Sequence, residues 1–254
     1  MLAVACVGFA GVSYGAACRA VSGASTTPLV ELYTSEGCDS CPPADRWLAA
    51  NFARNGDAVR PLALAFHVDY WDRLGWTDRF AQPAWTERQY ATMRANRAAF
   101  VYTPQVLLQG HEFTAWRRGN PNATIDEIAH RPARAAIEIS ATSEGDRVAV
   151  TAIGQVTDAA ARRDATLSIA YVDSGLVSDV KAGENRGVRL THDYVVRALR
   201  SSSASPANGA LSLTTRFSRP GEAGMVPALV AFIQNSANGD VLQAVALALS
   251  DCRP

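Results

Sequence analysis

Val30-Glu31-Leu32-Tyr33-Thr34-Ser35-Glu36-Gly37-Cys38-Asp39-Ser40-Cys41-Pro42-Pro43-Ala44-Asp45 is the stretch on which the reading of this chain turns. Pro28 to Thr34 reads as a strand, and Pro42 to Phe52 as the opening of a helix. Two cysteines two residues apart at a strand-to-helix junction are the covalent core of a dithiol redox site. The same spacing also serves a soft metal or an inert disulfide, so the surroundings must decide.

The cysteines suit the chemistry of that junction. The first turn of a helix carries backbone N–H groups without partners and the positive end of the helix dipole. Both favour a thiolate, so Cys38 is expected to be acidified and exposed, the attacking sulfur, with Cys41 shielded as the resolving one. Pro42 and Pro43 fit early helical positions, where no backbone donor is needed. Further along, Tyr102-Thr103-Pro104-Gln105-Val106 places a proline inside strand-like sequence. That position suits an edge or a special site, and next to a CxxC a cis-proline leaves a strand edge free to hold a substrate backbone. Thr103, Pro104 and Trp71 are therefore expected to orient substrate. His67 and Asp69 stand at the end of the apolar run Pro61–Val68, where ligand crevices of open sheets lie. They are expected either to pass protons or to belong to a packed aromatic loop.

Hydrophobic residues make up 48% of the chain and charged residues 19%, a globular balance able to bury a full core. Formal net charge is zero, so no global field recruits nucleic acid or an acidic membrane surface. Leu2 to Ala17 is apolar and free of charge, too short for a comfortable membrane span and about right for a signal-peptide core. Residues 1–27 are thus expected to form a leader, with a periplasmic or secreted mature protein. The alternative for this segment is a buried N-terminal strand. Membrane attachment is expected only through an uncleaved leader or lipidation at Cys18. Of the five cysteines, Cys6 falls in the leader, and Cys18 can pair with Cys252 if both are retained. Asn122-Ala123-Thr124 fits a glycosylation sequon of eukaryotic secretory routes.

Residues 28–133 alternate strand and helix signals, with helices expected to about Arg54 (closed by Asn55-Gly56), over Trp85–Ala99, and from an N-cap at Thr124 to Arg131. From residue 134 to 254 the texture becomes short alternating strands with turn signals such as Asn238-Gly239, an antiparallel sandwich-like pattern. Gly183-Glu184-Asn185-Arg186-Gly187 through Arg197 is polar and dense for such a region. It fits either a loop reaching the redox crevice or a well-made hairpin.

Strand, CxxC, helix, strand, helix and Thr-Pro-strand together resemble the thioredoxin fold. More narrowly, the opening stretch, His67-Val68-Asp69-Tyr70-Trp71-Asp72, Thr86-Glu87-Arg88-Gln89, Tyr102-Thr103-Pro104-Gln105 and Gly183–Gly187 resemble a secreted, mainly bacterial, thioredoxin-like family of unknown function. The resemblance implies an α/β thioredoxin-like domain followed by an all-β sandwich-like domain. Asp39-Ser40 departs from the Gly-Pro of thioredoxin itself, and that dipeptide tunes the potential. Thioredoxins also keep a buried acid on the strand before the CxxC as a proton relay. Glu31 is either the counterpart by resemblance, displaced by one residue, or a structural acid bonded to backbone or to an arginine.

Three functions compete. One is an extracytoplasmic thiol–disulfide oxidoreductase acting on protein or peptide thiols through Cys38 and Cys41, with no cofactor. Another is copper or zinc handling by Cys38, Cys41 and His67. The last is a non-enzymatic interaction protein with a structural disulfide. His111, His130 and His192 show no metal-site spacing.

Overall fold

The computed structural model describes residues 17–52, 61–202, 207–219 and 225–252. The end of the first helix expected at Arg54–Gly56, most of the leader, Cys6 and part of the serine-rich loop lie outside the described residues.

The fold is mostly β. β1 (Ala17–Val21) falls within the expected leader segment, yet it is a strand paired antiparallel with β6 (Ala135–Glu144). β2 (Leu29–Thr34) is buried at every residue, and β3 (Leu62–His67) at all but its first, as a continuous apolar run requires when both faces are covered. The two strands are parallel, with Thr34 opposite His67, and α1 (Pro42–Asn51) lies between them in sequence. α2 (Pro83–Ala95) follows, then β4 (Gln105–Leu108) and β5 (His111–Glu112), both antiparallel to their neighbours. α3 (Pro121–Ala129) is capped by Asn120, whose Oδ1 accepts the Ala123 N–H, rather than by Thr124. Pro121 accounts for the earlier start, because its fixed φ suits the first helical position and it has no donor to satisfy.

The remaining chain supplies β7 (Arg147–Val156), β8 (Ala165–Ser174), β9 (Leu176–Asp179), β10 (Arg189–His192), β11 (Val195–Ser201), β12 (Ala210–Ser218), β13 (Val226–Asn235) and β14 (Val241–Ala248). They do not form a sheet system of their own. One eight-stranded sheet runs β14-β13-β8-β11-β3-β2-β4-β5, joining strands from both sides of the texture change at residue 134. The joint is parallel: Val195 of β11 faces Ala65 of β3, and the Ala65 N–H donates to the Tyr194 carbonyl at 2.8 Å. A four-stranded sheet, β1-β6-β7-β12, and a two-stranded ribbon, β10-β9, complete the strands.

Alternation sorts the core. From β2, Val30 and Leu32 pack with α1 (Ala44, Leu48) and α3 (Ile125, Ile128). Leu29 and Tyr33 point the other way, into a cluster with Phe66 and Trp85 of α2. Leu167, Ile169 and Tyr171 of β8 pack with Ile137 and Ile139 of β6 and Val148 and Val150 of β7, a third cluster between the large sheet and the four-stranded one. The large sheet therefore carries α2 on one face and, side by side on the other, α1 with α3 and the four-stranded sheet.

Cys18 of β1 is bonded to Cys252, closing a separation of 234 residues. Long closed loops restrict the unfolded chain most. Replacing both cysteines with serine is expected to lower the unfolding free energy by about 2–5 kcal/mol, read from urea denaturation, while the Cys38–Cys41 bond stays intact.

Candidate functional site

β2 ends at Thr34, and a tight turn carries the chain into α1. The Ser35 hydroxyl accepts the Gly37 N–H, the Ser35 carbonyl accepts the Cys38 N–H, and the Cys38 carbonyl accepts the Cys41 N–H. Cys41 is the N-cap of α1 and uses no side-chain cap; Pro42 begins the helix. The turn brings Cys38 and Cys41 into a disulfide. Expected to be exposed, Cys38 is instead 0% accessible, as is Cys41, although Asp39 and Ser40 between them are exposed.

The cover comes from two directions. Trp71, in the turn after β3, lies so near Gly37 that a Cβ there would stand 3.1 Å from the Trp71 Cβ. From the far half of the chain, Asn185 Nδ2 donates to the carbonyls of Glu36 and Cys38, each at 2.9 Å. Glu184 Oε2 accepts the Asp39 N–H at 3.1 Å. The segment 180–188 joins β9 to β10, whose register sets Asp179 opposite Arg189, so the hairpin and the crevice loop are one device.

Beneath the turn lies a buried polar cluster. Asp78 Oδ2 accepts the Glu36 N–H at 2.9 Å and sits 2.6 Å from His67 Nδ1. Glu36 Oε2 accepts the Trp76 indole N–H at 2.7 Å. Glu36 Oε1 lies 3.2 Å from His192 Nε2, a close contact without hydrogen-bond alignment. The rings of His67 and His192 meet edge-to-face at 4.9 Å, with Phe80 against both. Thr34 Oγ1 donates to Asp45 Oδ2 at 3.2 Å.

These groups divide by charge. Burial would raise Asp78 and Glu36, but His67 holds Asp78, and His192 with Ser178 and Trp76 holds Glu36, below the ordinary carboxylate range. Burial would lower His67, but Asp78 outweighs it and the imidazole is raised. Asp45 differs: burial raises it, and the histidines only partly offset that. Asp45 follows Cys41 by four positions, on the same face of α1.

Of the residues singled out in the sequence, Thr103–Pro104 is a cis peptide, and Trp71 Nε1 donates to Thr103 Oγ1 at 2.8 Å. Gln89 of α2 fixes the same segment through the Tyr102 carbonyl and the Gln105 side chain, both at 2.9 Å. His67 joins the buried cluster. Asp69 is tied to Thr86 of α2, whose hydroxyl donates to its carboxylate at 2.5 Å. Glu31 points to the opposite face of the sheet from α1, paired with Arg88 at 2.8 Å and close to the Tyr33 hydroxyl. A displacement of one residue in a strand exchanges faces, so Glu31 is not the counterpart of an acid facing the helix. Asp45 occupies that side of the sheet. Glu36, Asp78, Asn185 and His192 carried no local signal of their role, because long-range pairing brings them in. Asp45 could have been found from its one-turn spacing after Cys41. Among the described residues no group of three or more His, Cys, Asp or Glu is arranged to hold a metal ion.

Residues 29–234 match the family described as Protein of unknown function (DUF1223). The chain belongs to this family. A DUF1223 assignment thus spans both halves of the shared sheet. The fold is similar to the crystal structure of an Agrobacterium tumefaciens protein at 25% identity and a TM-score of 0.59, covering 88% of this chain and 94% of that one. It is also similar to HBP35 of Porphyromonas gingivalis at 16% identity and a TM-score of 0.65, covering 92% and 78%. No curated protein is detectably similar to the chain. Two disulfides suit an oxidising compartment, and among the described residues no helix is long and apolar enough to cross a membrane.

The His67–Asp78 pair gives a pH signature. His67 is raised above its ordinary 6.5, so its contribution is complete below pH 6.5 and is lost as pH rises through its folded-state value. Asp78 and Glu36 are lowered, so theirs is present above 3.8 and 4.5 and is lost as pH falls through their folded-state values. Asp78→Asn leaves His67 without its anion and is expected to cost about 3–5 kcal/mol near pH 6. It should also flatten the alkaline limb of stability against pH. Guanidinium unfolding at several pH values measures both, and NMR titration of His67 should move downward.

Proposed function

We propose that this protein is an extracytoplasmic thiol–disulfide oxidoreductase, periplasmic or secreted, built on a thioredoxin-like unit. The strand order β3-β2-β4-β5, with α1 leading from β2 and the Thr103–Pro104 peptide leading into β4, supports that unit. The observation that carries the activity is the disulfide between Cys38 and the N-cap Cys41, one helical turn before the half-buried carboxyl of Asp45.

The reaction is exchange. A partner thiolate attacks Cys38 Sγ, the bond to Cys41 breaks, and Cys41 leaves as a thiolate. The helix N-terminus stabilises that anion, and Asp45, which holds its proton more tightly than an ordinary carboxyl, is the group placed to protonate it. A second partner thiolate then attacks the partner sulfur of that mixed disulfide, the bond to Cys38 breaks and Cys38 leaves as a thiolate, giving a partner disulfide and a reduced Cys38. The reverse sequence reduces a partner disulfide. The partner is a protein or peptide held by its backbone beside Thr103–Pro104, with Trp71 and Gln89 keeping that edge in place.

Complete burial of both cysteines favours a second reading, a structural disulfide in an interaction protein. The two readings separate on one variant. Cys41→Ala cannot resolve and is expected to accumulate mixed disulfides on Cys38 when the oxidising or reducing partner pool of its compartment is supplied. Non-reducing gels and mass spectrometry report them. Cys38→Ala should accumulate none. If Cys41→Ala also captures no protein, peptide or model thiol, the oxidoreductase reading is wrong and the structural one stands.

A further inference from the structure

Exchange depends on access of a nucleophile to sulfur, and here the sulfur is covered. Cys38 is fully buried although Asp39 and Ser40, which follow it, are exposed, so the covering groups are local and specific. Ser40 Oγ lies 3.4 Å from Cys38 Sγ, and the tip of the β9–β10 ribbon is bonded to the backbone of residues 36, 38 and 39 around it. That ribbon is hydrogen-bonded to neither larger sheet. Its tip is held together from within: Val180 N–H donates to Val188 O at 3.0 Å, Gly187 N–H to Val180 O at 2.9 Å, and Val188 N–H to Asn185 O at 3.0 Å. An internally bonded tip moves as one piece.

The links from tip to turn are few. Asn185 is 6% exposed and spends both of its carboxamide hydrogens on the Glu36 and Cys38 carbonyls. Glu184 accepts from the Asp39 N–H. Gly183 has φ +71°, and a Cβ there would come 3.1 Å from the Trp76 Cβ, so a residue without a side chain permits the close seat.

We propose that the 181–187 tip is a lid over the Cys38–Cys41 disulfide, latched by Asn185, and that Asn185 sets which molecules reach Cys38. The use of the lid rests on the exchange reading above; the occlusion itself does not. Lifting the latch leaves the buried Glu36 carbonyl without its donor, while the Cys38 carbonyl keeps only the Cys41 N–H, and an unpaired buried acceptor is costly. An extended polypeptide brings N–H groups that replace the carboxamide, whereas a small reductant without donors faces the full cost. The lid therefore selects a polypeptide partner. Once it opens, the incoming thiolate bonds to Cys38 Sγ, the pair of electrons of the S–S bond stays on Cys41 Sγ, and that sulfur takes up a proton. The product is a mixed disulfide: the partner sulfur has been oxidised, Cys41 has been reduced, and Cys38 is released when a second partner thiolate attacks the partner sulfur.

The test uses tris(2-carboxyethyl)phosphine, which has no hydrogen-bond donors to offer the carbonyls. The oxidised full chain is treated, quenched with iodoacetamide, and the Cys38–Cys41 peptide is followed by mass spectrometry, separately from Cys18–Cys252. Asn185→Ala is expected to be reduced about tenfold faster than the unaltered chain, from the loss of two hydrogen bonds. Glu184→Ala, exposed and removing a single acceptor, is expected to be about threefold faster, and it carries the test if circular dichroism shows Asn185→Ala misfolded. Rates for the folded variants equal to that of the unaltered chain overturn the lid. Fast reduction of Asn185→Ala with no partner ever trapped on Cys38 supports the lid and sinks the exchange reading, so the two failures are distinct.

Discussion

The parallel pairing of β11 against β3 is the constraint on which the site depends. A hydrogen bond from the Ala65 N–H to the Tyr194 carbonyl, with Val195 beside Ala65, welds the second half of the chain to the edge of the first. Tyr194 adopts φ +60° there, and its N–H and hydroxyl bond to Ser174 and to the Phe52 carbonyl at the end of α1. Because β10 immediately precedes this joint, His192 arrives beneath the redox turn and the ribbon tip arrives above it. Without the weld, the Cys38–Cys41 turn would have neither the ribbon tip above it nor the His192 imidazole beneath it.

The electrostatics beneath the turn follow from that delivery. Three carboxyls and two imidazoles share a dry volume in which unpaired charge is prohibitive. Pairing wins over desolvation for Asp78 with His67, and contacts to His192, Ser178 and Trp76 outweigh it for Glu36, which keeps both carboxyls as a charged scaffold. Desolvation wins for Asp45, whose nearest fixed partner is the neutral hydroxyl of Thr34. Opposed shifts among neighbouring acids are how one site separates structural anions from a proton-holding group. The scaffold fixes the Glu36 carbonyl that Asn185 grips, so the lid and the cluster are coupled through a single residue.

What could be read from the sequence was what is local. The β2 run, the CxxC with its two prolines, the β13–β14 hairpin at Asn238-Gly239 and the special position of Pro104 rest on backbone rules that neighbours in sequence decide. Pairing between distant strands was not readable, and each difference follows from it. The texture change at 134 marks a switch from helix-connected to antiparallel strands, yet the sheet runs through it. For Glu31 the sequence left relay and arginine partner open, and because a strand has two faces one register step sends it to Arg88. Cys38 was expected in solvent because a helix N-terminus is usually open, and Asn185, 147 positions away, closes it. The choice between hairpin and crevice loop for 183–197 dissolved, since the hairpin brings the loop there.

The central claim is that the pair Cys38–Cys41 exchanges electrons in the folded protein. The most direct measurement is its equilibrium reduction potential in the full chain, from incubation in graded glutathione and dithiothreitol buffers, acid quench and alkylation mapping. This account predicts a value between roughly −120 and −270 mV, the span of working dithiol oxidoreductases, with the fold retained in the reduced form. A value below about −300 mV, or reduction that occurs only together with unfolding, would contradict it and make the bond structural.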